Sequence, residues 1–190
     1  MEALKNHIQQ HINIERTALD LLEPYFEHRV LKKKEIVLAE GQVCREKFFV
    51  AKGCLQMFFV KPNGIEQTID FALEHWWTTD FSAFGKHVPS QYTIRSIEPT
   101  ELYVLSVAQQ TALLEALPAM EQYFHRILHI AYAASQHRVK YLYQYSREEL
   151  YRQFAAQFPA FVQRVPQYML ASFLGFTPEY LSEIRKKPVP

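Results

Sequence analysis

The sequence changes character once, near Ser106, and that break constrains the fold more than any other feature. Before it, from about Arg29, short β-rich runs follow one another: Glu35 to Leu38, Lys47 to Val50, Leu55 to Val60, Gln67 to Phe71, Tyr92 to Ile97 and Glu101 to Leu105. Turn chemistry separates them at Glu40-Gly41, Lys52-Gly53, Pro62-Asn63-Gly64 and Glu98-Pro99. Asn-Gly between two such runs is a strong hairpin signal, because both residues tolerate positive φ, and strands at this spacing predict an antiparallel sandwich or barrel. Ahead of them, Leu4, Ile8, Ile12, Ala18, Leu19 and Leu22 keep a helical spacing that should stop near Pro24.

After Ser106 the pattern is helical throughout. Ala108 to Leu117 reads as a short helix, and Pro118 suits the first turn of the next. No glycine or proline stands between Pro118 and Tyr145. Along this stretch Tyr123, Ile127, Ile130, Ala134, His137 and Tyr141 alternate spacings of four and three, a heptad seam. A second stripe, Phe124, Leu128, Ala131, Ser135, Arg138 and Leu142, runs beside it. One face is expected to pack on the β-rich region and the other on a second subunit; a helix buried inside one chain is the alternative. Glu148 to Phe158 forms a further amphipathic helix, ended by Pro159.

The segment from Met169 to Lys187 is the most specific. Two short helices joined by a tight turn need a small residue where they cross, a glycine at the turn and a cap for the second helix. Ala171, Gly175 and Thr177 supply these, with Leu174 facing inward, Phe176 plugging the turn and Pro178 at the first position of the second helix. Leu181 and Ile184 make the buried stripe of that helix. Its outer face carries Glu179, Tyr180, Ser182, Glu183, Arg185, Lys186 and Lys187. A helix-turn-helix presents such a face to the DNA major groove, with N-terminal side chains on base edges and basic ones on phosphates. From Arg147 onward six basic residues stand against four acidic ones, a modest positive footprint. An ordinary pair of core helices is the competing reading.

Overall charge adds little: Lys plus Arg is 21 against 20 for Asp plus Glu, so any nucleic-acid site must come from charge placement. Cys44 and Cys54 are too few for a disulfide framework or a four-thiolate cluster. His7 and His11, and His125 and His129, are four apart without the carboxylate of an HExxH motif, and no His-x-His occurs as a barrel metalloenzyme of the cupin type would need. Neither GxSxG, a Walker loop nor GxGxxG is present. Trp76-Trp77 is expected to pack or to anchor a loop. The chain is expected not to be an enzyme. With no apolar run of membrane-spanning length and no leader pattern, it is expected to be cytoplasmic and without a membrane partner.

An antiparallel β-rich domain, a long helix and a helix-turn-helix, in that order across nearly the whole chain, resemble the Crp/Fnr family of bacterial transcription regulators; the best local match is Met169 to Lys187. The resemblance implies an α+β architecture: a jelly-roll double-stranded β-barrel sensor related to cyclic-nucleotide-binding domains (1–117), a dimerisation helix (118–145) and a DNA-binding helix-turn-helix (146–190). It implies duplex DNA as partner, a homodimer through the long helix, and contact with RNA polymerase. The DNA-facing residues would be Thr177, Glu179, Tyr180, Ser182, Glu183, Arg185, Lys186 and Lys187.

Two departures from the family pattern shape the expectation. Members that bind cyclic nucleotides carry a Gly-Glu pair and, about ten residues on, an Arg-Ser or similar pair holding the phosphate. Here those positions fall on Thr79-Asp80 and Ser90-Gln91, so no arginine awaits the phosphate and cyclic AMP is expected to bind weakly or not at all. Asp80, Phe81, Ser90, Gln91, Ser135 and Gln136 remain the candidate ligand residues for a small-molecule effector, Asp80 toward a ribose hydroxyl, Ser135 and Gln136 from the long helix. Secondly, Glu183 stands where members commonly have a basic residue, and the sequence runs only to Pro190, leaving no wing after the second helix. Fewer phosphate contacts and salt-sensitive affinity are expected. The alternative function is a sensor or interaction protein of the same architecture without specific DNA binding.

Overall fold

The computed structural model describes residues 1–186, so Lys187, one of the candidate DNA contacts, lies outside the described residues. Helices α1 (Glu2–His11) and α2 (Arg16–Leu19) lead into a 3-10 helix, Asp20–Tyr25, that contains Pro24. Eight strands follow: β1 (Glu27–Leu31), β2 (Ile36–Leu38), β3 (Glu46–Lys52), β4 (Leu55–Val60), β5 (Glu66–Ala72), β6 (Trp77–Thr78), β7 (Thr93–Ser96) and β8 (Thr100–Ser106), with α3 (Phe81–Lys86) between β6 and β7. The rest is helical: α4 (Val107–Ala116), α5 (Ala119–Gln144), α6 (Arg147–Gln157), α7 (Pro159–Arg164), α8 (Gln167–Leu174) and α9 (Pro178–Lys186).

The strands form two four-stranded antiparallel sheets, ordered β1-β8-β3-β6 and β2-β7-β4-β5. This is the sandwich form of the expected antiparallel architecture: the two sheets share one core, and no ladder closes them into a barrel among the described residues. The chain crosses from one sheet to the other at Lys52-Gly53. Gly53 has φ +98°, and a Cβ there would lie 2.8 Å from the Pro99 carbonyl oxygen, so only glycine fits this turn. The Asn63-Gly64 turn links β4 to β5 as expected. Four elements escaped the sequence reading. β1 is a mostly exposed edge strand, β6 spans two residues, α3 is a short helix capped by Asp80, and α7 is a short helix that begins at the proline expected only to end α6.

Period-two burial places Phe48 and Val50 of β3 between the sheets, where they meet Leu55 and Met57 of β4 and Leu102 and Val104 of β8. Phe49 points the other way, into a second core with Leu4 and Ile8 of α1, Leu113 of α4 and Met120 and Tyr123 of α5. β3 is therefore apolar on both faces because both are covered. Each fully buried Leu or Phe contributes roughly 1.5–3 kcal/mol. A third core unites α6 to α9 with Cys54 and Ile97 of the sheet region. The C-terminal helices thus pack on the sheets and do not stand apart as a separate body.

The long helix has its predicted length, but its faces are used differently. Tyr123 is fully buried and Ile127 packs on the α1 core, so the first part of the seam holds the helix to its own chain. Leu128, Tyr132, Val139 and Tyr143 are exposed on the opposite side, Tyr143 at 88%. Of the predicted stripes, only Leu128 belongs to this outward row.

Candidate functional site: a cavity and a helix pair

A cavity of about 720 Å³ lies where the sheets, the long helix and the C-terminal helices meet. Ile69, Asp70 and Phe71 of β5 form one wall, and Thr79 to Ser82 a second. Ala131, Ala134, Ser135, His137, Arg138, Tyr141 and Leu142 of α5 form a third, and Phe154, Phe161 and Phe173 of α6, α7 and α8 close it. Trp76 is exposed at this cavity and Trp77 is buried beside it, so the tandem tryptophans share the wall.

Of the candidate ligand residues, Asp80, Phe81 and Ser135 line the cavity. Ser90 and Gln91 meet Asp80 behind the wall, and Gln136 is exposed on α5 outside the lining. Asp80 is not available to a ribose hydroxyl. Its Oδ1 accepts from the Ala83 N–H at 3.0 Å, capping α3, and its Oδ2 accepts from the Gln91 N–H and the Ser90 hydroxyl, each at 3.1 Å. Asp80 is 4% exposed and Ser90 3%. The donors assigned to an incoming phosphate are therefore occupied by a carboxylate of the chain itself. A phosphate there would lose those bonds and meet a like charge.

Two charged residues reach the cavity and were not recognised as site residues from sequence. Asp70 opens into it and accepts one hydrogen bond, from the Phe71 N–H at 2.9 Å, with no ion pair among the described residues. Burial by the surrounding protein raises its carboxyl to about 6, with Arg138 partly opposing the rise. Arg138 crosses from α5, donating to the Ile69 carbonyl and, at 3.0 Å, to the Phe173 carbonyl. Its guanidinium lies 4.1 Å from the Phe173 ring centre, and burial lowers its pKa. A lone Asp inside an apolar strand run was the available signal for the first; the second sat on a predicted stripe, but its role depends on β5 and α8.

β5 is the edge of its sheet, and α8 covers that edge. The Thr68 N–H donates to Ser172 Oγ at 2.8 Å, and Ser172 Oγ donates to the Glu66 carbonyl at 3.0 Å. An exposed strand edge leaves such groups unpaired; here one serine hydroxyl pairs both. Arg164 adds a second tie, donating to Glu74 at 2.6 and 2.9 Å and to Glu98 at 3.0 Å.

The α8–α9 pair has the expected local geometry. Gly175 ends α8 at φ +78°, the Tyr180 N–H donates to Thr177 Oγ1 at 3.2 Å, and Phe176, Ala171, Leu174, Leu181 and Ile184 are buried together. Glu179, Ser182, Glu183, Arg185 and Lys186 are exposed on α9 and Tyr180 is half-buried. Thr177 is exposed but bound to its cap role. Elsewhere, both cysteines are free and buried, and no group of three metal-ligating side chains occurs among the described residues. No described helix is long and apolar enough to cross a membrane.

Residues 28–116 match the family model of the cyclic nucleotide-binding domain. No curated protein matches the sequence. Solved structures share the fold at low identity. The catabolite activator protein of Thermus thermophilus is 19% identical over 91% of this chain and 83% of that one, with a TM-score of 0.58. A c-di-GMP-responsive global regulator, CLP of Xanthomonas campestris, is 12% identical over 90% of each chain, at 0.70. A putative Crp/Fnr-family transcriptional regulator of Eubacterium rectale is 12% identical over 90% of this chain and 82% of that one, at 0.69.

Proposed function

We propose that this protein is an effector-responsive transcription regulator of the Crp/Fnr type that binds duplex DNA as a homodimer, with a pocket that has lost the cyclic-nucleotide pattern. The matched domain and the regulators that share its fold support a regulatory, non-enzymatic role. The observation that carries the reading is the α8–α9 pair, whose buried stripe and caps leave the polar face of α9 open to solvent while α8 is bonded to the sensor sheet. The exposed row Leu128, Tyr132, Val139 and Tyr143 supports pairing of two long helices. In this reading an effector shifts the population between arrangements that differ in how α8 sits on β5 and α5.

Glu183 at the centre of the α9 face favours a second reading, a sensor without specific DNA binding. Selection of random duplexes by the purified protein at two salt concentrations decides between them. Enrichment of a two-fold symmetric sequence is expected. No enrichment, with or without candidate effectors, overturns the regulator reading.

A further inference from the structure

The cavity has a chemistry of its own, and the ligand class assigned to it rests on reading it as the effector site. Aromatic faces dominate its walls, Phe71, Phe161 and Phe173 among them, with Trp76 and Phe81 more than two-fifths exposed at its rim. Its charged groups are not equivalent. Asp80 is saturated by Ala83, Ser90 and Gln91. Arg138 turns its N–H groups to the Ile69 and Phe173 carbonyls and its flat face to the Phe173 ring. Asp70 has neither a salt-bridge partner among the described residues nor more than one hydrogen bond, and its side chain is open to the cavity. An accessible carboxylate with one hydrogen bond and no ion pair among the described residues, whose nearest cation Arg138 spends its N–H groups on the Ile69 and Phe173 carbonyls, attracts a cation twice over among aromatic faces, by charge and by the negative faces of the rings.

We propose that the cavity binds an organic cation with an apolar body, its charged nitrogen set against Asp70 and its body among the aromatic side chains of β5, α7 and α8. Anionic effectors, cyclic nucleotides included, are disfavoured by the Asp80 carboxylate that occupies the anion-accepting N–H of Gln91. Because the walls come from β5 and α5 on one side and from α6, α7 and α8 on the other, such a ligand touches both the sensor sheets and the first helix of the DNA-binding pair. It would therefore act on α8 directly, without a relay through the sheets. The raised carboxyl of Asp70 is consistent with a site in which a bound cation would relieve an unpaired charge.

Three probes with one body and different charges test this: phenylbutylamine, phenylbutanol and phenylbutyrate, followed by the fluorescence of Trp76 and Trp77, the two tryptophans of the chain. In buffer well above the Asp70 value of about 6, the ammonium should bind saturably and roughly tenfold or more tighter than the carboxylate, with the alcohol between them. Asp70→Asn should bring the ammonium to within about twofold of the alcohol and leave the alcohol unchanged. The ranking in the unmodified protein needs no variant, so it decides the matter even if Asp70→Asn folds poorly. Equal or tighter binding of the carboxylate, or no saturable binding by the ammonium, overturns the proposal. Probe binding without enrichment of any duplex would sink the regulator reading and leave the cation site standing; duplex enrichment without probe binding would do the reverse.

Discussion

The Arg138 guanidinium lies over the Phe173 ring at 4.1 Å and donates to the Phe173 carbonyl at 3.0 Å, so a side chain of the long helix holds the C-terminal end of α8. The last carbonyls of a helix have no partner within it, and a cation beside them also complements the helix dipole. The same guanidinium reaches the Ile69 carbonyl of β5. One residue thereby ties β5, the long helix and the helix pair together.

Arg138→Met should consequently destabilise the protein by about 1–3 kcal/mol, because it leaves two carbonyls without a charged donor while keeping most of the apolar stem. Urea denaturation measures this. Ser172→Ala should cost about 1–2 kcal/mol by exposing the β5 edge groups. A loss near zero for both would mean that α8 is held by apolar packing alone.

Cyclic AMP should give no saturable heat in titration calorimetry at micromolar concentration, because the Ser90 hydroxyl and the Gln91 N–H, at the positions expected to meet a phosphate, already donate to Asp80. Asp80→Ala removes the α3 cap and the tie to Gln91, and should lower stability by about 1–3 kcal/mol without creating a site, since no cation replaces it. Submicromolar affinity in the unmodified protein would contradict the account.

Dimerisation should depend on the outward row of the long helix and not on Tyr123 and Ile127, the part of the seam that packs on the chain's own core. Leu128→Glu with Val139→Glu should give folded monomers in sedimentation analysis. Ile127→Glu should instead unfold the chain, because Ile127 packs into the core that holds α1 and Tyr123. A monomeric parent protein would end the dimer reading.

Lys47 should make stability rise from neutral to alkaline pH. Its ammonium is 3.2 Å from the Phe124 ring centre and 4.9 Å from that of Trp77, with no hydrogen bond or ion pair among the described residues. Burial lowers its pKa from 10.5 to about 7. Between those values the unfolded chain binds the extra proton, so stability grows as pH rises and levels off above the unfolded pKa; below the folded value the penalty is constant. Lys47→Met should stabilise the protein in urea denaturation more at pH near 6 than near 10, by a difference on the order of 1–3 kcal/mol. A pH-independent effect would show that the rings compensate the charge fully.

On α9, Lys186→Ala should weaken binding to all duplexes and flatten the salt slope by about one unit, since its place at the far end of the helix suits phosphate contact. Glu183→Ala should instead change which sequence is preferred, at a cost of about 1–3 kcal/mol for the original one. Selection with each variant separates the two roles. Equal loss on every duplex for both would place Glu183 away from the bases.

Features decided within a few residues were legible in the sequence. Gly175, Phe176, Thr177 and Pro178 specify the turn between α8 and α9 through backbone conformation and local hydrogen bonds, and the structure has that turn. The break near Ser106 likewise separates strands from helices, because period two and period 3.6 are local properties. β1 and β6 were missed because an exposed edge strand and a two-residue strand carry no alternation to read.

What lies across a helix or a strand is a different matter. The spacing of α5 defined its stripes but not what covers them: packing turned the start of the heptad seam, Tyr123 and Ile127, toward the chain itself and left Ile130, Ala134 and His137 exposed. Asp80, Ser90 and Gln91 were read as neighbours, yet whether the carboxylate would await a ligand or satisfy its own loop depended on distances that sequence does not contain. Asp70 and Arg138 become a cavity wall and a three-way tie only when β5, α5 and α8 meet. The sequence alone determined the succession of a strand-rich region, a long helix and a helix pair, because these rest on local chemistry. The cavity, its unpaired carboxylate and the docking of α8 were decided by tertiary structure, because they arise from residues far apart in the chain competing for the same buried partners.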